Sequence, residues 1–123
     1  MFRNAISSTL RGIFKQFITY AANGSGSSSV ASSDYFALPS EKEIFGSISY
    51  SNSSAEAQNS QLDYYKTTAN RVKMLGTNGS ACWWFERSPF SGSSYYFCAV
   101  QLRGSTNYGY VAFAYGLSPF GCI

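Results

Sequence analysis

Apolar residues recur near the start of the chain at spacings of three and four. Ile6, Leu10, Ile13, Phe14, Phe17 and Ile18 would share one face of a helix, so the pattern predicts an amphipathic helix over 5–20, within an N-terminal segment 1–22. Residues 23–34, dominated by Ser and Gly, carry too little apolar content to fold alone and predict a flexible loop. Tyr35 to Leu38 is strand-like. Ser40 followed by Glu43 is a capping box, in which each residue accepts the other's amide, and Gly46 stops the helix it opens. Residues 47–60 form a polar loop. Leu62, Tyr65, Ala69, Val72 and Leu75 predict a second stripe-bearing helix over 62–75, ended by a turn at 76–80.

The period changes after residue 80. Cys82 to Phe85 is a strand core, and Tyr95 to Leu102 and Tyr108 to Tyr115 are strand-length runs flanking a hairpin signal at Arg103 to Asn107. Leu117 to Ile123 closes the chain as a short apolar strand. Helices first and a β-rich half over 81–123 predict an α+β fold in one domain, 1–123. In the first run, Cys98 and Val100 are assigned to the core, with Ala99, Gln101 and Arg103 outward beside Tyr108 and Tyr110.

Composition sharpens this division. Of the 22 aromatic residues, 12 lie in 83–123, alongside only three charges, Glu86, Arg87 and Arg103. Trp83, Trp84, Phe97 and Phe120 fit a core. A strand pair cannot bury every other ring, and an exposed aromatic patch marks a partner site. Tyr carries large apolar area with a polar tip, and Ser and Gly adapt around it.

Charge and motif content narrow the classes. A net charge of +3 from scattered basic residues gives no nucleic-acid platform. No apolar run reaches the roughly 18 residues of a membrane span, so no membrane insertion is expected. Residues 1–22 hold Arg3, Arg11 and Lys15 without an acid, the composition of a presequence. With no His, a Cys/His zinc site is impossible and the usual general base is missing. The acids are dispersed, Gly24 and Gly26 form no phosphate loop, and Glu41 and Glu43 are accounted for by helix-start chemistry. No catalytic constellation, metal or cofactor is expected. The three cysteines, Cys82, Cys98 and Cys122, read as buried small hydrophobes or as one Cys98–Cys122 bridge with a thiol left over.

Five blocks then carry a resemblance: LPSEKEIFGS (38–47), YYKTTANRVK (64–73), WWFERSP (83–89), YFCAV (96–100) and YGLSPFGCI (115–123). In this order they resemble a domain of phages, prophages and gut Firmicutes with a WW-E/L-RSP motif, similar to C-type-lectin-like proteins of the formylglycine-generating-enzyme type. The domain in turn resembles the variable proteins of diversity-generating retroelements, in which adenine-directed mutagenesis rewrites a C-terminal tract. After Arg87 nearly all residue types are reachable by changing the first two bases of a pyrimidine-ending Asn codon; Gln101 is not. The inserted Phe in WWFERSP departs from the motif and predicts a shifted or bulged strand. Family members carry strands upstream of the first helix, so a chain beginning near it is expected to be a fragment or a shortened form lacking them.

The resemblance implies a non-catalytic domain binding a host-receptor or environmental ligand, phage or prophage encoded, on a tail fibre, a capsid surface or a bacterial cell surface. Its implied partner is a host cell-surface protein or glycan. The alternative is a structural phage component, such as a capsid decoration or tail-fibre assembly protein, that contacts other phage structural proteins or its own copies. The ligand-binding residues expected are Phe90, Tyr95, Tyr96, Arg103, Tyr108, Tyr110, Phe113 and Tyr115.

Overall fold

A computed structural model describes residues 7–76 and 79–123. Among these, strands dominate, and the helices-first α+β arrangement is overturned. The predicted helix over 5–20 shrinks to α1 (Ser8–Ile13), and Phe17–Ala22 is instead a strand, β1. It pairs antiparallel with β2 (Ser29–Asp34), which occupies the segment expected to be a flexible loop. Phe-Ile-Thr-Tyr is a β-branched and aromatic run, better suited to a pleated surface than to a helix. Once β1 is extended, its edge offers the serine-rich segment a ladder of backbone partners, with Tyr20 opposite Ala31. The part of the predicted helix before Ser7 lies outside the described residues.

The helix expected over 62–75 is likewise absent. Two single turns of 3-10 helix, Asp63–Lys66 and Thr68–Arg71, meet at an extended Thr67, and β4 (Lys73–Met74) follows. The apolar stripe is real at its first turn: Tyr65 is 4% exposed. Side chains end the helix, because Asn70 Nδ2 donates to the Tyr64 carbonyl at 2.7 Å and Arg71 Nε to that of Tyr65 at 2.8 Å. Those carbonyls would otherwise accept from the next turn.

The capping box stands as read. Ser40 Oγ accepts from the Glu43 amide at 3.2 Å, and Glu43 accepts from the Ser40 amide at 2.8 Å. It opens α2 (Glu41–Phe45), which stops at Gly46 with φ 76°, a left-handed cap that needs no Cβ. The remaining strands are β3 (Phe36–Ala37), β5 (Ala81–Cys82), β6 (Trp84–Pro89), β7 (Tyr96–Val100), β8 (Thr106–Tyr110), β9 (Gly116–Leu117) and β10 (Phe120–Gly121). β10 pairs with β3, and β4 with β5.

The main sheet has four strands in the order β8-β7-β6-β9, antiparallel except for the parallel β6–β9 pair. Its register shifts between Phe85 and Pro89, a bulge where the motif carries its extra Phe. One face packs Trp84 and Val100 against Ile44 and Tyr65, with Phe45 and Leu62 beside them. Trp84 Nε1 donates to the Arg71 carbonyl at 2.8 Å, so the indole is both buried and paired.

Arg87 pins the remaining parts to this sheet. Its guanidinium grips both Glu43 oxygens at 2.7 and 2.9 Å, and donates to the carbonyls of Leu38 at 2.7 Å and Tyr20 at 3.1 Å. One side chain on β6 thereby fastens α2, β1 and the segment after β3.

Candidate functional site

The β7–β8 register decides which rings meet. Tyr96 lies opposite Tyr110 and Cys98 opposite Tyr108, while Phe97 faces Gly109 and Ala99 faces Asn107. Directly opposed residues share a face, so Tyr108 and Tyr110 stand with Tyr96 and Cys98. This corrects the expected grouping of both tyrosines with an outward Ala99. Ala99 is in fact buried, with Cys98 and Val100, at 0% exposure.

On that face the rings form a tight set. Phe90 stacks on Tyr108 with centroids 4.2 Å apart and planes 5° from parallel. Tyr96 meets Tyr108 edge-on at 5.6 Å and Tyr110 at 5.8 Å. Tyr50 closes one end, 5.1 Å from Tyr108 and 6.2 Å from Phe90. Both the amide and the hydroxyl of Ser91 donate to the Tyr50 carbonyl, at 2.9 and 2.8 Å, which holds the loop ring there.

At the far end the set turns round the rim of the sheet. Tyr110 contacts Phe113 at 5.8 Å, and Phe113 contacts Tyr115 at 5.7 Å. Tyr115 lies on the opposite face, against Phe85 at 4.8 Å and Trp83 at 5.3 Å. Gly109 makes room for it: a Cβ there would sit 2.3 Å from the Tyr115 ring. Desolvation in this packing pushes the Tyr115 phenol up. Nine rings, from Tyr50 to Trp83, thus run as one ribbon across one face, round the rim and onto the other.

Six of the eight expected ligand-binding residues belong to the ribbon: Phe90, Tyr96, Tyr108, Tyr110, Phe113 and Tyr115. Tyr95 is the most exposed of the expected rings, at 66%, and its carbonyl accepts from the Val111 amide at 3.1 Å. Arg103 is not brought to the rings. It sits in the hairpin turn beyond Val100 and Thr106, whose Gly104 abuts Thr68 and Arg71. The Val100–Thr106 pair is two residues from the Cys98–Tyr108 pair, about 7 Å along the strands, and four from the Tyr96–Tyr110 pair, about 13 Å. Tyr50, Trp83 and Phe85 join unforeseen. Tyr50 carried one faint signal, an isolated aromatic residue in a Ser-rich loop.

Glu41 also proves to do more than start a helix. Its carboxylate is fully buried and accepts the amides of Ser49 at 3.1 Å, Tyr50 at 3.0 Å and Ser51 at 2.8 Å, and the Thr106 hydroxyl at 2.8 Å. It therefore ties the Tyr50 loop to β8 beneath the rings. All three cysteines are free, Cys98 buried and Cys122 exposed. The Cys98–Cys122 bridge is not formed, and of the two only Cys98 acts as a buried small hydrophobe. Among the described residues, no group of three or more Cys, Asp or Glu is arranged to hold a metal ion, and no helix is long and apolar enough to cross a membrane.

These features define a small, mostly β domain with an uncharged aromatic ribbon wrapped round one sheet edge. The chain belongs to the family described as a domain of unknown function (DUF6273), whose model matches residues 1–123. Neither a curated protein nor a solved structure matches it.

Proposed function

We propose that this chain is a non-catalytic binding domain and that the aromatic ribbon is its recognition surface. The observation that carries the proposal is the continuity of the rings together with their exposure: Tyr108, Tyr110 and Phe113 are 37%, 40% and 54% exposed although each packs against neighbouring rings. Rings held by one another lose little freedom when a partner orders them, so their apolar area is available for binding. All nine ribbon residues are Phe, Tyr or Trp, with no acid, lysine or arginine among them. The partner class this favours is a neutral one, a glycan or an uncharged protein face on a host cell surface.

The resemblance to variable proteins of diversity-generating retroelements supports the same reading. It extends the proposal to a phage or prophage product displayed on a virion or a bacterial cell, with a rewritten tract that includes most of the ribbon. A second reading, assembly with other phage structural proteins or with its own copies, is favoured by a mainly apolar groove of about 370 Å³, in which Leu38, Phe85, Phe97, Val111 and Leu117 are joined by Glu86 and Arg87 of β6. Screening the purified domain on glycan and protein arrays tests the first reading. Replacing Tyr95, Tyr96, Tyr108 and Tyr110 together with serine should abolish the binding found and leave the far-ultraviolet circular dichroism unchanged. Full binding by that variant would place recognition elsewhere.

A further inference from the structure

Beneath the ribbon lies a set of carboxyls that recognition does not use. Glu41, Glu56 and Glu86 are 0%, 0% and 1% exposed, but their surroundings differ. Glu41 takes three amides and a hydroxyl, a donor set that stabilises a buried carboxylate. One Glu56 oxygen accepts from Ser88 and the other has no partner. Neither Glu86 oxygen has a partner, and both are closed to water.

The groups that face Glu86 make the contrast sharper. Glu41 approaches from α2 and Glu56 from the loop that follows it; the Cys98 thiol on β7 feels all three carboxyls. Arg87, next along β6, commits both terminal nitrogens to Glu43 and to the Leu38 and Tyr20 carbonyls; its Nε–H is buried without a partner, and its charge favours an ionised Glu56 rather than Glu86. An ionised Glu86 would be an unpaired buried charge beside two acids, the costliest state such a side chain can adopt. Burial therefore pushes its carboxyl well above the usual range, and the charges of Glu41 and Glu56 add to the effect. Burial also raises Glu56.

We propose that Glu86 is a proton-linked latch of the aromatic face: it keeps its proton while the interior is closed, and on losing it repels Glu41, the residue that joins Tyr50 to β8. The consequence for binding rests on the ribbon being the recognition surface, whereas the protonation and its effect on the rings do not. Because the folded protein favours the neutral form, the stability that Glu86 supports is fully present below the value of an exposed glutamic acid, about 4.3. It is lost as pH rises through the raised folded value.

The test uses the ligand-free protein. With glutamate labelled by carbon-13 at the side-chain carboxyl, one resonance should stay at the protonated position near neutral pH and disappear in E86Q. Melting temperature and the near-ultraviolet dichroism of the rings should fall together as the wild type is taken from mildly acidic to mildly alkaline pH, by several degrees in Tm. E86Q, with a permanently neutral side chain, should not show this fall. Ordinary titration of all four glutamates, or an E86Q profile that follows the wild type, would overturn the latch. A fall in Tm with unchanged ring dichroism would overturn the link to the ribbon. If E86Q does not fold, a protonated resonance of the labelled wild type that persists in E56Q still assigns the proton to Glu86, and its loss in E56Q would overturn the latch; failure to find a ligand leaves every one of these readouts intact.

Discussion

Gly109 and Tyr115 share a single volume on the rim of the sheet, and neither can change without the other. A methyl at 109 would stand 2.3 Å from the Tyr115 ring, and Tyr115 is the joint between the ribbon and Phe85. Gly109→Ala should therefore move that ring and cost about 1–3 kcal/mol, as overpacking does, with a visible loss of near-ultraviolet dichroism. Trp84 and Tyr95 show the opposite extremes of an aromatic side chain. Trp84 is 1% exposed, stacks on Tyr65 at 5.9 Å and spends its N–H on Arg71. Trp84→Ala should cost about 3–5 kcal/mol. Tyr95→Ser, at a ring that is two-thirds in solvent, should stay within about 0.5 kcal/mol. Comparable losses in urea melts of the two variants would show that scaffold and surface are not separate. The core reading of Trp83 and Trp84 alike held for Trp84, whereas Trp83 is only half-buried and packs on Tyr115 in the ribbon. The packing of Tyr115 on Gly109 was not legible, because residues six apart in sequence meet here only through the turn after β8.

At the scale of elements, local chemistry and long-range pairing made unequal contributions. The α2 helix was legible down to its cap, since Ser40 and Glu43 satisfy each other and the Gly46 amide returns to the Lys42 carbonyl, all within seven residues. The first expected helix was lost to pairing: β1 is extended because β2 is there to pair with it and because Arg87, far along the chain, bonds the Tyr20 carbonyl. Arg87→Ala removes four hydrogen bonds and leaves Glu43, with its side chain only 10% exposed, without its cation. Breaking such a pair costs about 3–5 kcal/mol. Hydrogen exchange should show β1 and α2 losing protection together in this variant. Protection lost in one alone would mean that Arg87 does not couple them.

For the whole molecule, the partition of charge is the governing feature. Two kinds of surface coexist, an uncharged band of rings and an interior in which Glu41 is well paired and Glu86 is bare. With no group of acids and thiols arranged for a metal among the described residues, the melting temperature should be indifferent to EDTA. A drop of several degrees on chelation, restored by added calcium or zinc, would reveal a coordination site. The alkaline loss of stability expected from Glu86 is a property of the same scale. It arises from several elements closing over one carboxyl rather than from any local motif.

The sequence by itself determined the capped helix, the strand character of 81–123, the buried Trp84 and the crowding of rings into the last third. Each follows from neighbours a few residues apart, or from composition. Tertiary structure alone decided the partner of β1, the face on which Tyr108 and Tyr110 stand, the exile of Arg103 from the rings, and the recruitment of Tyr50. A strand's two faces are equivalent until a register is chosen, and the register of β7 on β8 is set by what each face can bury. Val100 goes inward against Ile44 of α2 with Cys98 buried on the same face, and Ala99 can be buried on the other face because Phe85 lies opposite it and carries Tyr115. The carboxyl of Glu86 had no signal at all, since a glutamate in a motif reads as surface until the fold closes over it and supplies no donor.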